Sequence, residues 1–153
     1  MTTECKAEQL EFHGFERRQI IGRFDGGKIS SDGGGILLRE VEQRTHILRR
    51  LSQCFTDHRH PNLVEHSLES LIKQRVTGIA LGYEDLNDHD ALRDDQLLAL
   101  LSDKAGAPLA GKSTLNRLEL TTANATSASR YKKIVADTDA MDALLVDLFI
   151  ESH

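Results

Sequence analysis

The chain has 153 residues, of which 39% are hydrophobic and 28% are charged, a composition typical of a globular domain and not of a disordered tail. Tryptophan is absent and aromatic residues make up only 5%, so the core must consist of aliphatic side chains, which favours packed helices over a β-sandwich. The formal net charge of −5 excludes a protein that coats nucleic acid by bulk attraction. No apolar run approaches the roughly 18 residues of a membrane span and no signal peptide is recognisable, so we expect a cytoplasmic protein.

The first predicted element is a β-hairpin. Residues 1–16 are predicted to form an amino-terminal tail, after which two short β-prone runs flank Asp25-Gly26-Gly27. The two glycines of this tripeptide permit the positive φ angles of a tight turn. Residues 17–35 are therefore predicted to contain the hairpin and a glycine turn, in which Ser31-Asp32 caps the helix that follows.

A helical domain is predicted over residues 36–120. Apolar side chains recur at helical spacing in two stretches, the first ending near Thr56 and the second, after a break at Pro61, closing before Gly82. The positions that form these stripes are Leu37, Val41, Leu48, Leu51 and Phe55, then Leu68, Leu71, Ile72, Val76, Ile79 and Ala80.

Shorter helices are predicted farther along the chain. Aspartates precede the run LLALL, a placement that satisfies free N–H groups at a helix start, so one or two short helices are expected within 87–103. A further short helix is expected from Ser113 to Leu120, capped by Ser113 or Thr114. Residues 121–153 are predicted to be a polar connection followed by a helix from Arg130 to Ile150.

The segment from Gly106 to Ser113 matches the phosphate-loop pattern letter for letter. Asp147, which follows the apolar run Leu144-Leu145-Val146, could be the acidic strand end that accompanies such a loop. The pattern holds phosphates only where a buried β-strand delivers the loop to the start of a helix. Here the preceding residues favour helix, and Pro108 removes one of the N–H donors that the loop would need. A coincidental loop before a helix is the favoured interpretation, and a nucleotide-binding protein is the lesser alternative.

Two clusters of polar side chains are candidates for metal ligands. The acids between Glu84 and Asp95 could surround a divalent cation, but the calcium-loop template fails because it lacks its glycine and its final glutamate. In the alternative interpretation, the helix caps are Asp85, Asn87 and Asp88, and the solvent-facing acids are Asp94 and Asp95. The second cluster matches no common zinc spacing and consists of Cys54, Asp57, His58, His60 and His66. No metal site is predicted.

Charge is distributed unevenly along the chain. Residues 84–104 carry seven acids against two bases, and residues 137–153 carry five acids and no lysine or arginine. Residues 105–136 between them carry five bases against one acid, and form the basic block. Hydroxyls and lysine suit phosphates, whereas asparagine and arginine suit base edges. The candidate DNA-binding residues are Lys112, Ser113, Thr114, Asn116, Arg117, Arg130, Lys132 and Lys133. The alternative is a solvated helix that only packs through Leu115 and Leu118.

Three strings carry a family resemblance: SSDGGGILLRE at residues 30–40, HSLESLIKQRVTGIALGYEDLNDHDALRDD at 66–95, and LAGKSTLNRLE at 109–119. Together they resemble the amino-terminal part of a bacterial insertion-sequence transposase of the DDE type, of the IS1380 family. The resemblance runs from about Arg17 to Glu119 in order, and its most specific piece is the stretch Gly82–Asp95.

The resemblance implies an enzyme that binds the terminal inverted repeats of its element and cuts and rejoins double-stranded DNA. It implies Mg²⁺ or Mn²⁺ on an Asp-Asp-Glu triad in an RNase H-like core, whose first aspartate lies on a strand downstream of the helical region. No such strand is predicted before His153. We therefore expect a truncated chain that lacks the catalytic core, with no catalytic residue and no cofactor of its own.

The expected fold is mainly α, with an amino-terminal β-hairpin and a helical domain that contains a helix-turn-helix-like segment. The expected role is DNA binding and assembly, in a nucleoid-associated bacterial protein, with a possible homo-oligomer or full-length transposase as partner. The alternative is a protein-interaction module or inhibitor that pairs with full-length transposase through its helical faces.

Overall fold

The computed structural model describes residues 9–23, 31–104, 106–121 and 124–153. Helices dominate these residues, as the sequence predicts, and two small antiparallel sheets accompany them. In chain order the elements are β1 (Gln9–Phe15), β2 (Arg18–Arg23), α1 (Gly35–Thr45), α2 (Ile47–Gln53), β3 (Phe55–Asp57), α3 (Leu68–Ala80), α4 (Asp88–Ala91), α5 (Gln96–Leu101), α6 (Lys112–Glu119), β4 (Ile134–Ala136) and α7 (Thr138–Glu151). Within the described ranges, no helix is long and apolar enough to span a membrane.

The amino-terminal hairpin is present but begins earlier than predicted. β1 lies within the segment that was expected to be a tail, and it pairs with β2 through a turn at Glu16, whose φ is 52°. The first run of the predicted hairpin is thus the second strand of the observed one. The predicted turn at Asp25-Gly26-Gly27 lies outside the described residues.

Hydrogen bonds hold the hairpin on α1. The guanidinium of Arg39 donates to the carbonyl oxygens of His13 and Gly14, at 2.7 and 3.4 Å. The imidazole Nδ1 of His13 lies 2.9 Å from a carboxylate oxygen of Glu40. The hairpin is therefore attached to the helical domain through polar contacts, and its position depends on two neighbouring residues of α1.

The first predicted helix is broken in two, which the periodicity did not indicate. His46 adopts a left-handed conformation, with φ of 54°, and separates α1 from α2. The cause is local: the buried carboxylate of Glu42 accepts hydrogen bonds from the backbone N–H groups of Leu48 and Arg49, at 2.7 and 3.1 Å, and so satisfies the start of α2. The inward-facing side of α1 also differs from the prediction, because Leu37 and Val41 are 58% and 50% exposed.

The last predicted helix starts later than expected. A helix was predicted from Arg130, but Ile134–Ala136 forms β4, which pairs antiparallel with β3. The buried Ile134 and its β-branched neighbour Val135 suit a strand that joins an existing edge. The helix α7 begins only at Thr138, after Asp137, whose carboxylate accepts a hydrogen bond from the backbone of the first turn.

Helix α3 lies at the centre of the molecule and packs against α2, α5 and α6. Its amino end is capped by the Ser67 hydroxyl, which accepts a hydrogen bond from the backbone N–H of Ser70 at 3.1 Å. Two groups of buried aliphatic side chains form the core. The first consists of Leu71, Ile72, Ala110, Leu115, Leu118 and Ile134, and the second of Leu98, Ala99, Leu101 and Leu109. Leu115 and Leu118 thus fix one side of α6 to α3 and leave its other side for solvent.

Candidate nucleic-acid interface

The stretch Gly82–Asp95 carries the most specific part of the resemblance. One of its residues, His89, takes part in a buried hydrogen-bond network that links α3 to the segment before α6. The amide of Gln74 donates to the carbonyl oxygen of Ala110 at 2.8 Å and accepts from its N–H at 3.0 Å. The same amide nitrogen lies 3.2 Å from Nδ1 of His89, which is fully buried. Since the amide nitrogen is a donor, Nδ1 of His89 must accept, and the imidazole is neutral. We refer to Gln74, His89 and Ala110 as the buried clasp.

The electrostatics of the buried clasp agree with a neutral imidazole. Burial lowers the pKa of His89 below its ordinary value, and the positive charge of Arg75 lowers it further. A second proton would sit on Nδ1 and face the donating amide of Gln74, so protonation would remove a hydrogen bond as well as bury a charge. The buried clasp is a structural device that positions the segment before α6.

The acidic side chains of this stretch mainly accept hydrogen bonds from backbone N–H groups at or just before the starts of helices. Asp85 accepts a hydrogen bond from the backbone of Asn87 at 2.8 Å, just before α4. Asn87 occupies the cap position of α4, although its side chain makes no capping bond. Asp95, expected to face water, is the cap of α5 and accepts from the Leu98 N–H at 2.6 Å. Among the described residues, no group of three or more histidine, cysteine, aspartate or glutamate side chains is arranged to hold a metal ion.

In the second candidate cluster of metal ligands, around Asp57 and His60, side chains also form hydrogen bonds within the chain. Both carboxylate oxygens of Asp57 bind the guanidinium of Arg59, at 2.6 to 3.0 Å. Nδ1 of His60 accepts a hydrogen bond from the backbone of Asn62 and caps a short turn. Asp57 and His60 therefore have partners within the chain, and the described residues of this cluster form no group that could hold a metal ion.

The glycine loop before α6 does not have the geometry of a phosphate loop. The element that precedes it is the helix α5, and the cap position of α6 is Gly111, neither Ser113 nor Thr114 as predicted. The N–H of Lys112 donates to the carboxylate of Asp90 at 2.9 Å. This carboxylate occupies the place at the helix start where a phosphate would bind. Ten residues of sequence separate the end of α5 from the start of α6, against the three to four residues of a helix-turn-helix turn, so this pair of helices resembles that motif only in the order of its elements.

The predicted DNA-binding residues of α6 lie on two sides of the helix. Lys112 is directed towards the acidic stretch, where its ammonium lies 3.2 Å from the Asn87 side-chain oxygen and 3.5 Å from the Asp90 carboxylate. Ser113 and Asn116 line a groove of about 520 Å³ on that side. This polar groove is completed by Arg75, Glu84, Asp85, Leu86, Asn87, Lys112 and Glu119. Arg75 is bound there by Glu119, so the polar groove offers little free positive charge.

The other side of α6 contributes to a small cavity of about 180 Å³, which we call the Arg117 pocket. It lies between α6, the end of β3 and the segment that leads into β4. Its lining consists of Arg59, Thr114, Arg117, Arg130, Tyr131, Lys133 and Ile134. Four of these side chains are cations, and no acid stands among the described residues that line the cavity. Four predicted residues, Thr114, Arg117, Arg130 and Lys133, therefore come together here.

The cations of the Arg117 pocket are held to different degrees. Arg59 is fixed by Asp57 and donates to the carbonyl oxygen of His66 at 3.0 Å. The ammonium of Lys133 donates to the carbonyl oxygen of Ser127 at 2.8 Å, a contact that orients it without neutralising its charge. Arg130 lies over the ring of Tyr131, 5.1 Å from its centroid. Arg117 is exposed and forms no ion pair with the part of the chain that the structure describes.

The sequence did not indicate three residues of this pocket, Arg59, Tyr131 and Ile134, and its candidate Lys132 lines neither the pocket nor the polar groove. Arg59 was considered only as a neighbour of possible zinc ligands, and its role depends on the pairing of β3 with β4. Tyr131 could have been noticed, because an aromatic residue inside a run of bases is typical of nucleic-acid surfaces.

Comparison with known protein families identifies the family of this chain. The chain matches the family model described as transposase DDE domain group 1 over residues 12–153. No curated protein and no solved structure shows significant similarity. Because the match covers nearly the whole chain, the protein belongs to the transposase DDE domain group 1 family.

Proposed function

We propose that this chain is the DNA-binding and assembly part of a DDE transposase of the IS1380 type, and that it recognises the terminal inverted repeats of a bacterial element. In this proposal it works in the cytoplasm in association with the nucleoid. The observation that carries the proposal is the Arg117 pocket, where four cations converge and no acid stands among the described residues of the lining. In a protein with a net charge of −5, such a concentration favours a polyanionic partner.

The chemistry of the pocket suits a DNA backbone. Arginine forks and lysine bind phosphate oxygens, and the hydroxyl of Thr114 can donate to one as well. Arg117 and Arg130 have donors that no contact with a described carboxylate occupies, so they can bind a phosphate without first breaking an ion pair. Lys112 is assigned a smaller contribution, since Asp90 offsets its charge.

We assign no catalytic residue and no metal ion to this chain. The divalent metal of a DDE transposase needs several carboxylates that converge on one point, and the described residues contain no such cluster. The carboxylates nearest to that description, Asp85, Asp90 and Asp95, accept backbone hydrogen bonds at helix ends. These three carboxylates therefore do not fit a metal site.

Fluorescence anisotropy with labelled terminal-repeat duplex tests the DNA-binding proposal. We expect Arg117→Ala, Arg130→Ala and Lys133→Ala each to weaken binding and to reduce the dependence of affinity on salt by about one ion per lost phosphate contact. The matched control is Arg44→Ala, which removes one exposed cation that already pairs with Glu40. If wild type bound repeat and scrambled duplex equally weakly at low salt, or if the pocket variants bound as wild type does, the proposal would be abandoned.

A second candidate function is assembly with another protein copy, and exposed apolar side chains on α7 favour it. Leu145, Val146, Phe149 and Ile150 form a continuous face on this helix and are 57% to 65% exposed. Light scattering without DNA separates the two roles. A stable dimer that lacks DNA affinity would favour the interaction module, whereas a monomer that binds terminal repeats would favour recognition.

A further inference from the structure

We propose that the Arg117 pocket binds an unpaired nucleotide of the DNA, with the phosphate held by the cations and the base stacked on Tyr131. This inference rests on the proposed function, since it names the part of the DNA that the same site takes. It carries a structural consequence: the protein recognises a position where the duplex is open, frayed or single-stranded.

The size and shape of the Arg117 pocket suit one small group. Its volume of about 180 Å³ is below the roughly 300 Å³ at which pockets for drug-sized ligands begin, so it accommodates one small group and not a long stretch of backbone. Its cations surround a recess between three segments of the chain. A surface that follows a duplex needs instead a row of cations spaced along the backbone.

Tyr131 is placed to stack on a base, because its side chain is 63% exposed. The guanidinium of Arg130 lies over this ring, 5.1 Å from its centroid, and much of the side chain remains open to solvent. The cation orients the ring and lies beside the phosphate site. Single-strand binding proteins combine these two features, a basic recess for the backbone and an aromatic ring for a base.

The charge on the far side of α6 disfavours insertion of this helix into the major groove of a duplex. A helix with its side chains is about 10 Å across and the major groove is about 12 Å wide, so an inserted helix meets the backbones of both strands. On one side of α6 the phosphates would meet Arg117. On the other they would meet the polar groove, where Glu119 pairs with Arg75 and Asp90 pairs with Lys112, and where the carboxylates without an ion pair among the described residues are Glu84 and Asp85. Approach by a single strand from the Arg117 side avoids this repulsion.

The test compares three labelled DNAs of equal length and at one salt concentration: a blunt duplex, the same duplex with a single-stranded extension, and the single strand. We expect the two DNAs with unpaired nucleotides to bind more tightly. Tyr131→Ala should weaken their binding roughly tenfold and leave the blunt duplex nearly unchanged, because stacking needs an exposed base face. Tyr131→Phe should restore the affinity, since it keeps the ring.

Controls separate the stacking role from charge and from folding. Leu63→Ala removes a large apolar side chain that is 84% exposed and lies outside both the pocket and the α7 face, and it should bind all three DNAs as wild type does. Arg117→Ala should weaken all three. Inorganic polyphosphate should compete less well than an oligonucleotide of equal charge, because it offers no base.

The outcomes distinguish this inference from the proposed function. If wild type bound the blunt duplex as well as the other DNAs, or if Tyr131→Ala lost affinity for all three equally or for none, the unpaired-nucleotide site would be refuted while DNA binding stood. Equal competition by polyphosphate would also refute it and would leave only an anion site. Absence of binding to any of the DNAs would overturn both proposals.

Discussion

Two polar regions of this protein contain similar residue types but differ in whether those residues are already bound to other parts of the chain. In the stretch Gly82–Asp95, the charged and polar groups bind other parts of the chain: Asp95 caps α5, Asp90 holds the start of α6, and His89 joins the buried clasp. In the Arg117 pocket, Arg117 and Arg130 have donors without carboxylate partners among the described residues. The difference shows that a dense set of charges in a sequence does not by itself indicate a functional site.

Whether a charge is available depends on the contacts that already satisfy it. The most specific stretch of the sequence is therefore a structural signature, and the less specific basic block supplies the candidate interface. Each region predicts its own response to mutation: changes in the first should alter stability, and changes in the second should alter binding.

The largest expected effect is on stability, from Gly78→Ala in α3. A Cβ at this position would lie 2.8 Å from Cε1 and 3.2 Å from Nε2 of His89, whose ring is fully buried. Such overpacking costs about 1 to 3 kcal/mol, and the helix propensity of alanine returns about 1 kcal/mol of it. We expect a net loss of free energy of unfolding and a melting temperature lower by several degrees, measured by circular dichroism.

The matched control for this change is Gly34→Ala. Gly34 has φ of −60°, and a Cβ there meets no atom within 4 Å. Its unfolding free energy should be equal to or above that of wild type. The rigidity of the buried clasp would be disproved if Gly78→Ala were as stable as Gly34→Ala.

The next effect is a loss of stability in mild acid. The folded protein holds His89 below its ordinary pKa of 6.5, so between the lowered pKa and 6.5 the unfolded chain binds more protons than the folded one. The contribution is fully present above 6.5 and decreases as the pH falls below it. Urea unfolding between about pH 5 and 7 measures this slope, above the range in which ordinary carboxyl groups titrate.

His89→Gln should reduce that slope, because it removes the titrating group. His66, whose pKa is also lowered by burial, should account for part of what is left. Gln53→Ala, which removes an exposed side chain that does not titrate, is the control and should keep the slope of wild type. An unchanged slope in His89→Gln would contradict a neutral, buried imidazole.

Local patterns in the sequence were enough to predict much of this fold. The α3 stripe was recognisable because its apolar spacing ends at Gly82, which adopts a φ of 97° that favours glycine. The aspartates before LLALL predicted a helix start, and Asp95 provides it. These features depend on residues within a few positions of one another.

Contacts between distant segments could not be predicted in the same way. The strands β3 and β4 contain three residues each, too few to show alternation, and they pair across the whole helical domain. That pairing brings Arg59 beside Arg130 and so completes the Arg117 pocket. The break at His46 depends on where the buried Glu42 carboxylate points, which a helical periodicity does not encode.

A smaller effect should follow from Asp90→Asn, which makes the first region resemble the second. Asparagine keeps an oxygen that can accept from the Lys112 N–H, but it removes the charge that lies 3.5 Å from the lysine ammonium. Freed of this partner, Lys112 becomes available to phosphate. DNA affinity should rise a few-fold and its salt dependence should steepen by about one ion. Asp94→Asn, which also removes an exposed acid but not this contact, should change neither.

The smallest expected effect is that of Lys112→Ala on DNA binding. Asp90 already offsets this cation, so its loss should change the affinity far less than the loss of Arg117 does. The same variant tests the phosphate-loop alternative, in which Lys112 would be the essential residue. A thermal melt with ATP and magnesium should show no stabilisation in either wild type or Lys112→Ala. Nucleotide-dependent stabilisation that Lys112→Ala abolishes would instead mean that the carboxylate of Asp90 leaves the start of α6 to admit a phosphate.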